Sequence, residues 1–418
     1  MYRSIFATIV CAICLLSETG LGQNVVALGS YPLSEYSNDI EIGGAYAFLA
    51  YGENGLLILD ASDPANIVEA GSLEFNAECR DIVLLDTLAY VICDDGIHVI
   101  DISNVQEPVE VGFDSLDNDY GAEGVFYDHY FVAGTPGGIH VYDIADPLNP
   151  SEVSQLELEC CLGGIALSDH YIVVAQLWFY SGIRVVNIED PLNPEVVGEA
   201  TANDWGHGVT VVGDFAAVAV DMAGMQVFDI SQPSSPELIS TMPLNSFSIT
   251  NSISSSGNYV FVTGQSEWLY VLNLENGSEP ISVGRSLETL DGTEVAVSLN
   301  GQYAYTADNR RFQVFDCSAA LPVENDRSAL LPTEISLQAY PNPFNPSTSL
   351  SFELPKDVDV TLSVFDIQGR LVDEIVNGHL AAGAHTVNWS CAECASGVYL
   401  AAMKAGSFSA TRKLLLLK

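Results

Sequence analysis

The sequence predicts an all-β protein: a seven-bladed β-propeller followed by a small Ig-like β-sandwich. Three observations carry that expectation. A ten-residue phrase of alternating apolar residues returns seven times at intervals of 41 to 44 residues. Each return is preceded by a second alternating stretch folded on a tight turn. Beyond residue 334 the composition changes and a different set of short strands takes over.

The phrase reads GLLILDASDP from Gly55, GIHVIDISNV from Gly96, GIHVYDIADP from Gly138, GIRVVNIEDP from Gly182 and GMQVFDISQP from Gly224. WLYVLNLENG from Trp268 and RFQVFDCSAA from Arg311 are degenerate copies. Within it, Ile139 and Val141 alternate with His140 and Tyr142, the period-2 pattern of a strand. Upstream stretches such as DIVLLDTLAYVIC and GVTVVGDFAAVAV read as hairpins. Downstream lie a Pro-punctuated turn and a short strand such as EVVGEA at 195–200. Four strands per unit, with a period in the low forties, make a propeller blade. VVALGS at 25–30 matches the outer-strand phrases VEVGFD (109–114) and EVVGEA, yet it precedes the first hairpin. The last unit ends near Leu321 without an outer strand of its own. The N-terminal strand is therefore expected to complete the last blade and remove an open sheet edge.

The phrases GIHVIDIS and GIRVVNIEDP resemble the LVIVD repeat of bacterial and archaeal surface propellers, over about residues 24–322. That resemblance implies an extracytoplasmic propeller and brings no catalytic motif with it. The regular acidic row at the end of each phrase is Asp60, Asp101, Asp143, Asn187, Asp229, Asn273 and Asp316. Asn stands in twice, so the position needs an oxygen that accepts backbone N–H bonds rather than a charge. An Asx-turn is the expectation.

The chain ends read differently. Residues 1–22 carry a short basic start at Arg3, an apolar run from Ile5 to Leu16 and small residues before Gln23, the pattern of a secretory signal peptide. No later segment has the length of apolar sequence that a spanning helix needs. Residues 23–322 are the propeller and 323–334 a linker. Residues 335–418 hold YPNPF at 340–344, VFDIQGR at 364–370, GVYL at 397–400 and a basic-apolar terminal strand. These motifs, in this order at the C-terminus, resemble the type IX secretion sorting domain, which is related to an Ig-like fold. The resemblance implies export across a bacterial outer membrane, contact with the type IX secretion machinery, and release or attachment at the cell surface.

Charge bounds the function. The net charge of −42 comes from 55 acids against 13 bases, which repels nucleic acid and excludes it as a partner. The acids crowd the propeller, with 44 acids and 5 bases over residues 24–322, against 7 and 6 over 335–418.

Candidate residues gather in loops on one face. With strands a and b inside and c and d outside, the c–d turns share one face, and the d–a and b–c loops the other. Trp178, Phe179, Tyr180 and Trp205 are ligand-binding candidates, suited to stacking on a sugar or anchoring a protein. His207 with Asp204 or Glu123 would form an acid–base set near the channel mouth, although no nucleophile motif accompanies them. Asp117, Asp119 and Glu123 are candidates for Ca²⁺, the one cofactor considered, without the spacing of an EF-hand. Cys79 and Cys93 face each other across a hairpin and are expected to form a disulfide, as are Cys391 and Cys394. The pairing of Cys160, Cys161 and Cys317 stays open. The expectation is a secreted or surface-attached propeller that binds a glycan or protein ligand. An extracellular hydrolase or lyase acting on polysaccharide, and a purely structural envelope component, are the alternatives.

Overall fold

The computed structural model describes residues 25–416. Left out are 116–122, 159–161, 178–180, 245–249, 265–267, 287–289, 291–293, 298–301, 308–309, 322–336 and short stretches of the C-terminal unit (341, 343, 345–346, 355–357, 367, 369, 381–382, 392–393, 406–407). The expected signal peptide and linker lie outside the described residues.

Seven four-stranded antiparallel sheets form the larger part. Blade 2 is typical: strand a is Cys79–Leu85, b is Leu88–Cys93, c is Gly96–Asp101 and d is Val109–Ser115. The a–b turns of blades 1 to 6 hold two residues, and the first takes a positive φ, near 55° at Asp86, Asp128 and Asp169. Such turns match the right-handed twist of the strands they join. Each strand a lies against strand a of the next blade, and Glu294–Val297 of blade 7 lies against Asp39–Gly43 of blade 1. The ring therefore closes. Its seal is the N-terminal strand Val26–Pro32, which pairs antiparallel with Arg311–Asp316 as the outermost strand of blade 7.

The core sits between blades rather than inside any one of them. Phe48, Ala50, Leu56 and Ile58 of blade 1 pack on Ile82, Ala89 and Val91 of blade 2. Tyr90, Ile92 and Val99 pack in turn on Phe131, Ala133 and Tyr142 of blade 3. Because both faces of a blade meet a neighbour, strands b and c are buried almost end to end, and only the outermost strand alternates cleanly. This modifies the alternation read from the sequence. Tyr142, on its polar side, is 1% exposed, and its ring belongs to the contact with blade 2.

The glycine that opens the repeated phrase is explained by the same packing. Gly55, Gly96, Gly138, Gly182 and Gly224 all have positive φ, and a Cβ on any of them would strike the backbone carbonyl of its own strand d. The Asp/Asn row closes the other end of strand c. In all seven blades this residue accepts the N–H of the residue two further on, as in Ser103 to Asp101 at 2.8 Å and Glu189 to Asn187 at 2.9 Å.

The C-terminal unit packs a three-stranded sheet (Leu337–Tyr340, Ser347–Leu354, Gly383–Ser390) on a four-stranded one (Leu371–Leu380, Val358–Asp366, Gly397–Ala405, Phe408–Leu416). They share a core of Leu350, Phe352, Leu362, Trp389, Met403 and Leu414. Its sequence motifs are internal fastenings. Asn342 donates to the carbonyl of Lys413 and accepts the N–H of Leu415, both at 2.8 Å. Phe344, beside it, is buried with its ring 5.4 Å from Trp389.

Candidate functional site

Strands a line the channel, and one position on them recurs. It is the residue paired with the fifth residue of strand b: Asp39, Asp81, Glu123, Gly164, Gly208, Ser252 and Glu294. Four of the seven are carboxylates, and those of blades 1 to 3 each reach across to the next blade. Ile82 N–H donates to Asp39 at 3.1 Å, Gly124 N–H to Asp81 at 2.8 Å and Ile165 N–H to Glu123 at 2.8 Å. Glu41 lies one inward-facing position deeper. Asp39, Glu41, Asp81 and Glu123 line a cavity of about 470 Å³, and no described residue of its wall is Lys, Arg or His. Burial pushes Glu41 and Glu123 up to about 8, with the charge of Asp39 adding to it. Burial also raises Asp39 and Asp81, and the charges of Asp39 and Glu123 raise Asp81 further.

A second set of groups forms where blades 4 and 5 meet, on the face of the d–a and b–c loops. Strand a of blade 5 is Gly206–Val212, and strand b of blade 4 is Tyr171–Gln176. Gly206 abuts them closely: a Cβ there would stand 3.3 Å from Ala175 and 3.5 Å from the Gln176 amide nitrogen. Gly163 meets the backbone of Gly206 and His207 with no room for a side chain. Two buried polar atoms here have no hydrogen-bond partner among the described residues, His207 Nε2 and Asp221 Oδ1; Gln176 Nε2 has none either, but its strand alternation turns it with Ile172 and Val174 toward blade 3. An unmet buried donor or acceptor costs about 1–3 kcal/mol, so the pair at His207 and Asp221 asks for a partner.

The local geometry holds these groups in position. Asp221 opens the 3₁₀ turn Asp221–Ala223, and its N–H donates to the carbonyl of Trp205 at 3.0 Å. Asp204 accepts the Trp205 N–H at 3.0 Å. Burial pulls the His207 imidazole below its usual value, against the charges of Asp221 and Asp204. Burial pushes Asp221 up, and Asp204 adds to the effect. Trp205 is 41% exposed and Met222 57% exposed beside these polar groups. A separate groove of about 760 Å³ is lined by Gln176, Ser181, Arg184, Glu199, Thr201 and Glu237, and by none of Trp205, His207 or Asp221.

The structure thus brings Asp204, Trp205 and His207 together and adds Asp221 and Met222, which no motif marked. Glu123 faces the channel, held by Ile165, while the charges acting on His207 are those of Asp221 and Asp204. Trp178, Phe179 and Tyr180, and likewise Asp117 and Asp119, lie outside the described residues, as do Cys160 and Cys161. Disulfides join Cys79 to Cys93 and Cys391 to Cys394, and Cys317 is a buried free thiol. Cys93, Asp95 and His98 lie close enough to share an ion, but the Cys93 sulfur is taken by its disulfide. His98 is itself occupied, between Asp95 and Glu110 at 3.0 Å each.

Comparison with known proteins agrees with this architecture. The LVIVD repeat model matches residues 35–74, 78–113, 206–242, 249–287 and 291–320. A secretion system C-terminal sorting domain matches residues 338–417. The sorting domain marks the chain as secreted or attached at the outer membrane and implies contact with the secretion machinery. Among the described residues no helix is long and apolar enough to cross a membrane. A computationally designed protein called Ika8 is similar at TM-score 0.52 and 12% identity, over 71% of this chain and 100% of that chain. A chain of the Mitotic Checkpoint Complex is similar at TM-score 0.55 and 11% identity, over 72% of this chain and 93% of that chain. At these identities both speak for the fold alone. No curated protein matches the sequence.

Proposed function

For a chain that carries LVIVD repeats and a C-terminal secretion sorting domain, we propose that the propeller is a ligand-binding module displayed outside the cell. The residues before the propeller would direct its first export step and the tail its second. Its working surface is the d–a/b–c face at blades 4 and 5. The observation that carries this reading is the pair of unmet buried polar atoms, His207 Nε2 and Asp221 Oδ1, beside exposed Trp205 and Met222. On the opposite face the Asp/Asn row spends its oxygens on the turns that follow strand c. A face with open polar groups on a rigid scaffold is where a partner gains most.

The test is binding of the purified full chain to glycan and protein arrays. Trp205→Ala, and separately Trp178→Ala with Phe179→Ala and Tyr180→Ala, should weaken the signal. Leu192→Ala, in an exposed c–d turn, should leave it intact. Equal loss from both faces, or no binding at all, rejects the proposal. His207 beside Asp221 and Asp204 supports a second reading, a polysaccharide hydrolase or lyase. Turnover of a polysaccharide panel, abolished by His207→Ala, would put that reading first. For Ca²⁺, a metal titration of the full chain monitored by calorimetry tests the expectation at Asp117, Asp119 and Glu123.

A further inference from the structure

We infer that one end of the blade 2 hairpin is a redox-gated site for a divalent metal of the zinc class. Cys79, Cys93, Asp95 and His98 hold the ion while the two cysteines are thiols, and their disulfide shuts it out. The site is independent of the binding face at blade 5.

Topology puts the ligands together. Cys79 pairs with Cys93 across strands a and b, and Cys93 pairs with Gly96 across strands b and c. His98 follows Gly96 by two residues and so turns to the same face of the blade, while Gly96 brings no side chain of its own. Asp95 comes from the two-residue turn between Cys93 and Gly96. One ligand atom from each of Cys93, Asp95 and His98 lies within 4.8 Å of the other two, the one such set among the described residues. Cys79 brings a second sulfur through its bond to Cys93. Two thiolates, an imidazole and a carboxylate make a four-coordinate set for a borderline ion such as Zn²⁺, whereas Ca²⁺ and Mg²⁺ take oxygen ligands.

The surroundings of His98 are those of a metal ligand. Its Nδ1 lies 3.0 Å from Glu110 Oε1, a carboxylate behind the ring that fixes which nitrogen faces forward. Nε2 faces Asp95 Oδ1, also at 3.0 Å. The rings of Phe75 and Phe113 flank the imidazole at 4.4 and 4.9 Å between centres. The His98 side chain is 8% exposed and that of Asp95 50%, so an ion enters past Asp95. Blade 3 provides a contrast within the same chain. His140 there also stands 3.0 Å from a glutamate, Glu152. Yet Thr135 occupies the place of Cys93, and Gly137 that of Asp95.

The chemistry balances in two steps. A small dithiol gives two electrons and two protons to the Cys79–Cys93 bond, leaving two thiols and its own cyclic disulfide. The ion then takes both sulfurs as thiolates and two protons pass to water. Exchange with an oxidised dithiol runs the sequence backwards and expels the metal.

The experiment titrates Co²⁺ into the full chain, oxidised and after reduction with dithiothreitol and its removal, and reads the thiolate-to-cobalt absorption. The reduced chain should bind with that band and yield it to Zn²⁺, and Zn²⁺ should shield Cys79 and Cys93 from alkylation. The oxidised chain should show no band. Asp95→Asn and His98→Gln should each weaken binding to the reduced chain, and Glu110→Gln, behind the ligand, should weaken it about 10- to 100-fold. His140→Gln should change nothing. If reduction loosens the propeller, Zn²⁺ should raise its melting temperature again, because metal binding then adds to folding. A band in the oxidised chain, a titration that ignores both Asp95→Asn and His98→Gln, or shielding confined to Cys391 and Cys394 overturns the inference. So does a reduced chain that neither gives the band with Co²⁺ nor gains stability with Zn²⁺.

Discussion

Inside the channel, Glu41 faces Asp39 and no described basic group of the cavity wall, and its carboxyl is held protonated up to about pH 8. Glu123 behaves alike, and Asp39 and Asp81 are raised with it. The folded chain therefore keeps protons that the unfolded chain loses near the ordinary glutamate value of 4.5. The stability these protons represent is complete below about 4 and is lost as pH climbs through 8. Asp60 and Asp229 act in the opposite sense, because their turn hydrogen bonds depress them and their contribution fades only in acid. The melting temperature should fall between pH 5 and pH 9, and Glu41→Gln should flatten that fall and raise the pH 9 value by several degrees. A steeper fall in the variant would reject this account. The Asp/Asn row permits a second test at the same scale. Asp143→Asn keeps the oxygen that accepts the Ala145 N–H at 2.8 Å and should leave chemical denaturation unchanged. Asp143→Ala removes it and should cost about 0.5–1.5 kcal/mol.

Among the elements, strands b and c and their exit turns could be read directly, because the same local chemistry is written seven times. GIHVYDIADP states its own strand, its glycine and its turn acceptor. Strand a could be located but not interpreted. The carboxylates of Asp39, Asp81 and Glu123 recur every 42 residues, yet their purpose depends on the backbone of the following blade. Asp221 carries no motif at all and becomes a neighbour of His207 only when the a–b hairpin of blade 5 pairs Gly206 with Val220. In the C-terminal unit the motif YPNPF was visible, but not its partner. Asn342 satisfies both the Lys413 carbonyl and the Leu415 N–H, so it fastens the terminal strand Phe408–Leu416 at its far end. Asn342→Ala should strip both bonds, costing on the order of 1–3 kcal/mol, and expose the 408–416 strand to limited proteolysis. If cleavage there were as slow as in the parent chain, the fastening would be unimportant.

On the scale of the whole molecule, the propeller is held by a contact between the two ends of its own sequence. Every blade but the last draws its four strands from consecutive sequence, whereas blade 7 takes its outermost strand from Val26–Pro32. Removing that strand would leave Arg311–Asp316 as an open edge and uncover the cluster that includes Val25, Phe315 and Cys317. Because each blade's core is shared with its neighbours, the damage would not stay local. Blade 7 also supports blade 1 through Tyr305, Phe312 and Val314 against Ile40, Ala47 and Leu49. A chain beginning at residue 34 should therefore melt lower and over a wider range than one beginning at residue 24, with early proteolysis in blades 7 and 1. Closure needs the strand but not its place in the chain. Moving residues 24–33 by a short linker to follow Leu321 should restore the sharp transition, since an antiparallel neighbour for Arg311–Asp316 is then supplied from the other side. A truncated chain that melts like the parent would mean that blade packing alone closes the ring, and that the N-terminal strand merely covers it.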